Sequence, residues 1–239
     1  LASTSLEYKT IWEYQNFIHF HPEVKQIVPS HDVNKNFKLL ENLANTNINI
    51  ELMANEGCIG GCALRYDHSC EIMGKPVETR HERLSNGFYS HLCGKTIQKN
   101  PLLYLCKSQI IYPWEIQEYG KIGINNFKLA GREDFRRDMK KSVNSYILYL
   151  KGVDNIKNIE NESINSIIHH IGTDHYFDKY KIKDIKPLLP NIKHYVKVGH
   201  LCTSICGSEC TYCNKCADKI LKSAKKVKQT FRIPILTKA

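Results

Sequence analysis

The sequence predicts an α/β fold of parallel βα units followed by a cysteine-rich C-terminal segment. Three observations predict it: short apolar or β-branched runs alternate with stretches of helical period, caps and glycines fall between them, and five of the ten cysteines crowd into residues 202 to 216. Alternation of this kind suits parallel strands, in an open sheet or a closed barrel.

Taken in order, LASTS (1 to 5) reads as a first strand and KTIWEYQNFIHFH as a helix, because Ile11, Tyr14, Phe17 and Ile18 recur at helical spacing. VKQIVPS (24 to 30) is a second strand. NKNFKLLENLAN is a second helix, with Asn34 as N-cap and Phe37, Leu40, Leu43 and Ala44 on one face. INIELMAN (48 to 55) is the third strand, and residues 57 to 112 read as an irregular, cysteine-bearing insertion. Pro113 then opens a helix that stops at a glycine, and NNFKLAG (125 to 131) is a fourth strand. The helix over 133 to 151 places Phe135, Met139, Val143, Tyr146, Ile147 and Leu150 on its apolar side.

At 42% hydrophobic content the 239-residue chain can bury a sizeable core. No run reaches the roughly 18 apolar residues of a spanning helix, and the start at Leu1 lacks the basic then apolar plan of a signal peptide. Ten cysteines without a secretory signal point to a reducing, cytoplasmic compartment, where thiolates serve metals better than disulfides. The formal charge of +10, 34 basic less 24 acidic residues, allows an anionic partner, either a small molecule or RNA. The tail KILKSAKKVK (219 to 228) reads as a solvated helix face, and His169 and His170 as turn residues.

In parallel α/β folds the loops at the carboxyl ends of the strands build the site. Ser3, Asn55, Glu56, Lys128 and Arg132 all fall at such ends. Arg65 and His68 follow the first cysteine pair and are candidates to bind an anionic substrate and to move a proton. The cysteines form two groups. Cys58 and Cys62, with Cys93 and Cys106 far downstream, are four candidate ligands of one centre, and Cys70 is the spare of that group. In CTSICGSECTYCNKC, the spacing Cys206-x3-Cys210-x2-Cys213-x2-Cys216 suits a 4Fe-4S cube, with tetrahedral zinc as the alternative over Cys202 to Cys216. Part of that array also resembles the signature of radical S-adenosylmethionine enzymes, although only 23 residues follow Cys216.

The combination of STS, ELMANEGCIGGCALRYDH, CKSQIIYPWEIQEYGKIGINNFKLAGRE and the cysteine-rich tail resembles the U thirty-two family of collagenase-like peptidases, through most of residues 1 to 151. The family includes oxygen-independent hydroxylases of ubiquinone biosynthesis and of tRNA and ribosomal RNA. The resemblance implies a barrel related to the eight-stranded βα type, of which this strand run matches the second half. It also implies a four-cysteine 4Fe-4S cluster near the strand ends, oxygen insertion without dioxygen, and in some members a two-protein complex. A barrel portion over 1 to 152 and a cysteine-rich segment over 153 to 239 are the expected parts, with one cluster or two; the first half of the barrel is expected either from a partner chain, as a heterodimer, or from a segment of the protein outside this sequence. The function expected is modification of an aromatic small molecule, a quinone precursor or RNA. The alternatives are a collagenase-like peptidase, for which Cys58 with His68 is the formal candidate pair, and a zinc-bearing binding or scaffold protein.

Overall fold

The computed structural model describes residues 8–73, 87–130, 139–153, 186–198 and 210–225. The first strand expected at 1 to 5, with Ser3, lies outside these residues, as do Arg132, His169, His170, Cys202 and Cys206.

Helix α1 (Ile11–Phe20) begins at a capping box: Thr10 Oγ1 accepts from Glu13 N at 3.3 Å, and Thr10 N donates to Glu13 Oε2 at 2.8 Å. Strand β1 (Gln26–Ile27) is shorter than the β-branched run around it, since Pro29 has no N–H to continue a ladder. A 3-10 turn, His31–Val33, leads to α2 (Phe37–Ala44). The cap of α2 is Asn36, whose Oδ1 accepts from Leu39 N at 3.2 Å, and not Asn34 as the sequence suggests. The Asn34 amide instead donates to the carbonyls of Met53 and Gln109, each at 2.8 Å, which fastens this corner to the end of the next strand.

Strand β2 (Asn49–Met53) pairs in parallel with β1 on one side and with β3 (Asn126–Lys128) on the other, giving the order β1-β2-β3. Ile27 stands opposite Ile50, and Leu52 opposite Phe127. The stretch between β2 and β3, read from sequence as irregular, is helical in large part: α3 (Arg65–Met73), α4 (Phe88–Lys99) and α5 (Pro101–Lys107). The start of α5 carries ordinary signals, Pro101 in the first turn and Asn100 Oδ1 accepting from Leu103 N at 3.1 Å. Scattered cysteines hid its apolar face. Pro113 does sit at a first helical position, in a 3-10 turn (Pro113–Glu115) that runs into α6 (Ile116–Gly120). Gly123, at φ +88°, makes the reversal into β3 that a side chain would strain.

Helix α7 (Met139–Leu150) covers the described part of the expected 133 to 151 helix, but its buried face differs. Ser145, Tyr146 and Tyr149 are buried, whereas Val143, Ile147 and Leu150 are 38%, 39% and 57% exposed. The tyrosines win that face because they have partners there: Tyr146 Oη donates to the Ile111 carbonyl at 2.6 Å, and Tyr149 meets Trp114 edge-on. A 3-10 turn (Lys186–Leu188), α8 (Ile192–Val198) and α9 (Tyr212–Lys225) follow. No helix among the described residues is long and apolar enough to cross a membrane.

Two cores result. The first gathers the sheet with α2, α6 and α7 around Leu40, Leu43, Leu52 and Tyr119. The second lies between α5 and α9, where Leu105, Cys106, Cys213, Cys216 and Ile220 interlock, so the described C-terminal helix shares a core with the insertion.

Candidate functional site

The carboxyl ends of the three strands meet at one place. Past β2, Ala54 N donates to the Lys128 carbonyl at 2.9 Å, and Asn55 then clamps the end of β3 twice. Its Nδ2 donates to the Ala130 carbonyl at 2.8 Å and its Oδ1 accepts from Ala130 N at 2.7 Å. The side chain is thus occupied in joining two strand ends. Lys128, also expected in the site, ends β3 and is half-buried. Glu56 is half-buried, and Cys58 Sγ donates to its Oε1 at 3.8 Å.

From the end of β1 comes a polar group that the sequence reading missed. Ser30, His31 and Asp32 are all buried, and so is Arg65 from the start of α3. Ser30 caps the 3-10 turn by accepting from Asp32 N at 3.4 Å. Arg65 donates to Ser30 Oγ at 3.1 Å, lies 3.1 Å from the ring nitrogens of His31, and pairs with Asp32 Oδ1 at 3.3 Å. Lys9 reaches the other Asp32 oxygen at 3.6 Å. Burial first, and the Arg65 charge second, push the His31 pKa down to about 4, so the ring is neutral at pH 7. The available signal was PSHD immediately after a strand, four polar or turn residues at a carboxyl end.

One turn beyond Arg65, His68 is half-buried with its Nε2 lacking a hydrogen-bond partner among the described residues, and burial holds its pKa below the usual value. Cys70, on the same helix, is exposed.

Cys58, Cys62 and Cys93 fall in mutual electrostatic range. Burial pushes the Cys58 thiol well up, with Glu56, Cys93 and Cys62 adding to it, and burial likewise raises Cys93, whose Sγ is 4.0 Å from Tyr104 Oη. Cys106, expected with this set, lies with the C-terminal cysteines: Cys213 Sγ donates to the Cys106 carbonyl at 3.3 Å, and burial followed by the nearness of Cys213 and Cys216 raises its thiol. Cys210 Sγ stands 3.9 Å from His194 Nε2, with that imidazole stacked on Tyr212 at 3.8 Å. Helix α5 therefore separates two thiol sets, one around Cys58 and one around Cys213.

Among the described residues no three Cys, His, Asp or Glu side chains are grouped tightly enough to share a metal ion. Thiolates are the donors that iron-sulfur and zinc centres take. Buried thiols whose neighbours are other thiols and a carboxylate resist ionisation, and a bound cation reverses that balance by deprotonating them.

No family model, curated protein or solved structure matches the chain.

Proposed function

We propose that the chain is the cluster-bearing part of an iron-sulfur enzyme of the U thirty-two type, modifying an anionic aromatic small molecule, a quinone precursor or RNA without dioxygen. One observation carries the reading: β2 runs from the sheet directly into Asn55, Glu56, Cys58 and Cys62, beside the buried Ser30, His31, Asp32 and Arg65. Thiol-rich loops at parallel strand ends are where such a fold places chemistry.

In this reading Cys58, Cys62 and Cys93 supply thiolates to one 4Fe-4S cluster, and Cys206, Cys210, Cys213 and Cys216 serve a second centre of iron-sulfur or zinc type. Cys106, by its nearness to Cys213 and Cys216, is assigned to the second. A bound cluster supplies electron transfer or a Lewis-acidic iron. The chain's own residues supply the rest. Lys128 and Arg132 offer positive charge to an anion, and Asn55 keeps the two strand ends in register. His68, neutral and with Nε2 without a partner among the described residues, is the group that moves a proton. In the same reading the enzyme works in the cytoplasm and the three strands belong to a βα barrel.

The peptidase reading is weaker on electrostatic grounds. A cysteine nucleophile needs a lowered pKa, whereas burial first and the Glu56 carboxylate second push the Cys58 thiol up.

The test is metal analysis of protein purified without oxygen. Brown protein with about four irons and matching sulfide per cluster is expected. Zinc alone would leave the binding or scaffold protein as the reading.

A further inference from the structure

We infer that Asp32 is the positioning residue of the loop that carries Cys58 and Cys62. The inference rests on the proposed use of those thiols, and it concerns how the chain holds them.

The loop between β2 and α3 is interrupted by Gly57, Gly60 and Gly61; its Ile59 packs on the second core and bridges to Ser108, which leaves the stretch around Cys62 to be held by polar contacts. Gly61 adopts φ +67°, which lets its N–H turn to Asp32 Oδ1 at 3.2 Å. The same oxygen takes Arg65 Nη1 at 3.3 Å, and Arg65 N closes the turn by donating to the Cys62 carbonyl at 3.2 Å. One carboxylate, 4% exposed, thus grips the loop just before Cys62 and again three residues after it. At the loop's other end the Cys58 carbonyl accepts from Gln109 N at 3.0 Å. Cys58 and Cys62 are therefore strung between two fixed points, one of them Asp32.

Bulk stability does not demand this arrangement. Burying an Asp and an Arg costs several kcal/mol per ion before their attraction repays it, and a well-packed apolar pair is often as stable. A charged grip does what an apolar one cannot: it names a particular N–H and a particular guanidinium, and so fixes where the thiols stand.

Site-resolved alkylation of the full-length protein tests this. Wild type, Asp32→Ala and Asp32→Asn are treated with iodoacetamide under native conditions, and each cysteine-bearing peptide is followed by mass spectrometry. In Asp32→Ala, Cys58 and Cys62 are expected to react about tenfold faster while Cys106 and Cys213 keep their wild-type rates. Asp32→Asn keeps an oxygen for the Gly61 N–H and loses the charge, so a smaller rise confined to the same two thiols is expected; it decides the matter if Asp32→Ala does not fold. Unchanged rates at Cys58 and Cys62 would overturn the inference, and so would an equal rise at Cys106 and Cys213, which marks general loosening. Ligation by iron or zinc would itself shield a thiolate, so the rates are compared at equal metal content in each variant; the identity of the metal then bears on the proposed function and not on this comparison.

Discussion

Around the sheet, the buried positions are aliphatic and aromatic: Leu40, Leu43, Leu52 and Tyr119 fill the space that β1, β2, α2 and α6 enclose. Around α5 and α9, thiols stand in equivalent positions, with Cys106, Cys213 and Cys216 packed against Leu105 and Ile220. A free cysteine behaves as a small hydrophobe, so both cores exclude water. They differ in what they give up when chemistry intervenes. A leucine is inert, whereas a buried cysteine can exchange packing for ligation, so a core that includes three cysteines is one whose stability a metal would alter. The sheet half is thus a scaffold of inert side chains, and the other core carries groups that chemistry can engage.

The largest expected effect lies on the seam between the halves. Lys35 and Glu115, 4% and 1% exposed, pair at 3.1 Å; Glu115 also accepts from Tyr112 N at 2.9 Å, and Lys35 Nζ lies 5.2 Å from the Tyr195 ring centroid. Burial pushes Glu115 above the usual carboxylate range while the Lys35 charge pulls it back. Removing one partner strands the other charge, so Glu115→Ala should cost about 3–5 kcal/mol in urea unfolding. The double variant Lys35→Met/Glu115→Leu should recover most of that loss. If it did not, the seam would owe its stability to this pair specifically and the two halves could not be treated as packing independently.

A cavity in each core separates the halves more directly. Leu52→Ala and Ile220→Ala each remove a fully buried side chain, 0% exposed in both cases, at about 2–5 kcal/mol. Hydrogen exchange read by mass spectrometry should show different consequences. Leu52→Ala is expected to weaken protection across β1, β2 and β3 together. Ile220→Ala should free α5 and α9 and spare the sheet. Equal loss everywhere would mean a single cooperative unit, and the contrast between the halves would fail.

The same contrast explains what could be read in the sequence. The sheet half was legible because its signals are redundant: Phe37, Leu40 and Leu43 recur at helical spacing and are buried, and Pro113 opens a turn where expected. Its errors were local. Asn34 and Asn36 are equally good caps by type, and only the register of the helix decides between them. Val143, Ile147 and Leu150 outrank tyrosine on any hydropathy scale, yet Tyr146 and Tyr149 occupy the core because hydroxyl partners await them. The cysteine half was opaque, because a cysteine reads as ligand or core with equal ease. Reading Cys106 only as a ligand, and not also as a packing residue, hid the apolar face of α5. At the site, Arg65 was found by its nearness to a cysteine pair. Its partners Ser30, His31 and Asp32 were missed because they are distant in sequence, the first two by 35 and 34 residues, and nothing local marks any of the three as buried.

The polar group at the strand ends gives a third effect, readable by pH. Burial and the Arg65 charge hold the folded His31 pKa down at about 4, against 6.5 for an ordinary imidazole, so between those values the unfolded chain binds the proton more readily. Its contribution to stability is full above pH 6.5 and is lost as pH falls towards 4. At about 1.4 kcal/mol for each unit of pKa, the loss is about 3 kcal/mol at most. Urea unfolding across pH 7 to 4 should show it, and a His31→Phe variant should flatten that part of the curve. A slope that persisted in the variant would place the acid sensitivity in groups other than His31.

The smallest effect bears on how closely the sheet half follows ordinary rules. Asn36 Oδ1 satisfies the N–H of Leu39, which has no partner within the first turn of α2, and the residue itself is 8% exposed, so little water is at hand to replace it. Asn36→Ala should cost about 1 kcal/mol, within the range for losing an N-cap. Asn34→Ala is a different experiment, although the residue is two positions away and chemically identical. It withdraws the donor of two 2.8 Å bonds from the Met53 and Gln109 carbonyls, and those carbonyls belong to the end of β2 and to the segment that braces the cysteine loop. Asn36→Ala is expected to leave the alkylation rate of Cys58 at its wild-type value, because a cap acts only on its own helix. Asn34→Ala should raise that rate severalfold, because Gln109, which Asn34 holds, is also the residue whose N–H fixes the Cys58 carbonyl. Equal rates in the two variants would mean that the loop takes no support from this side of the sheet.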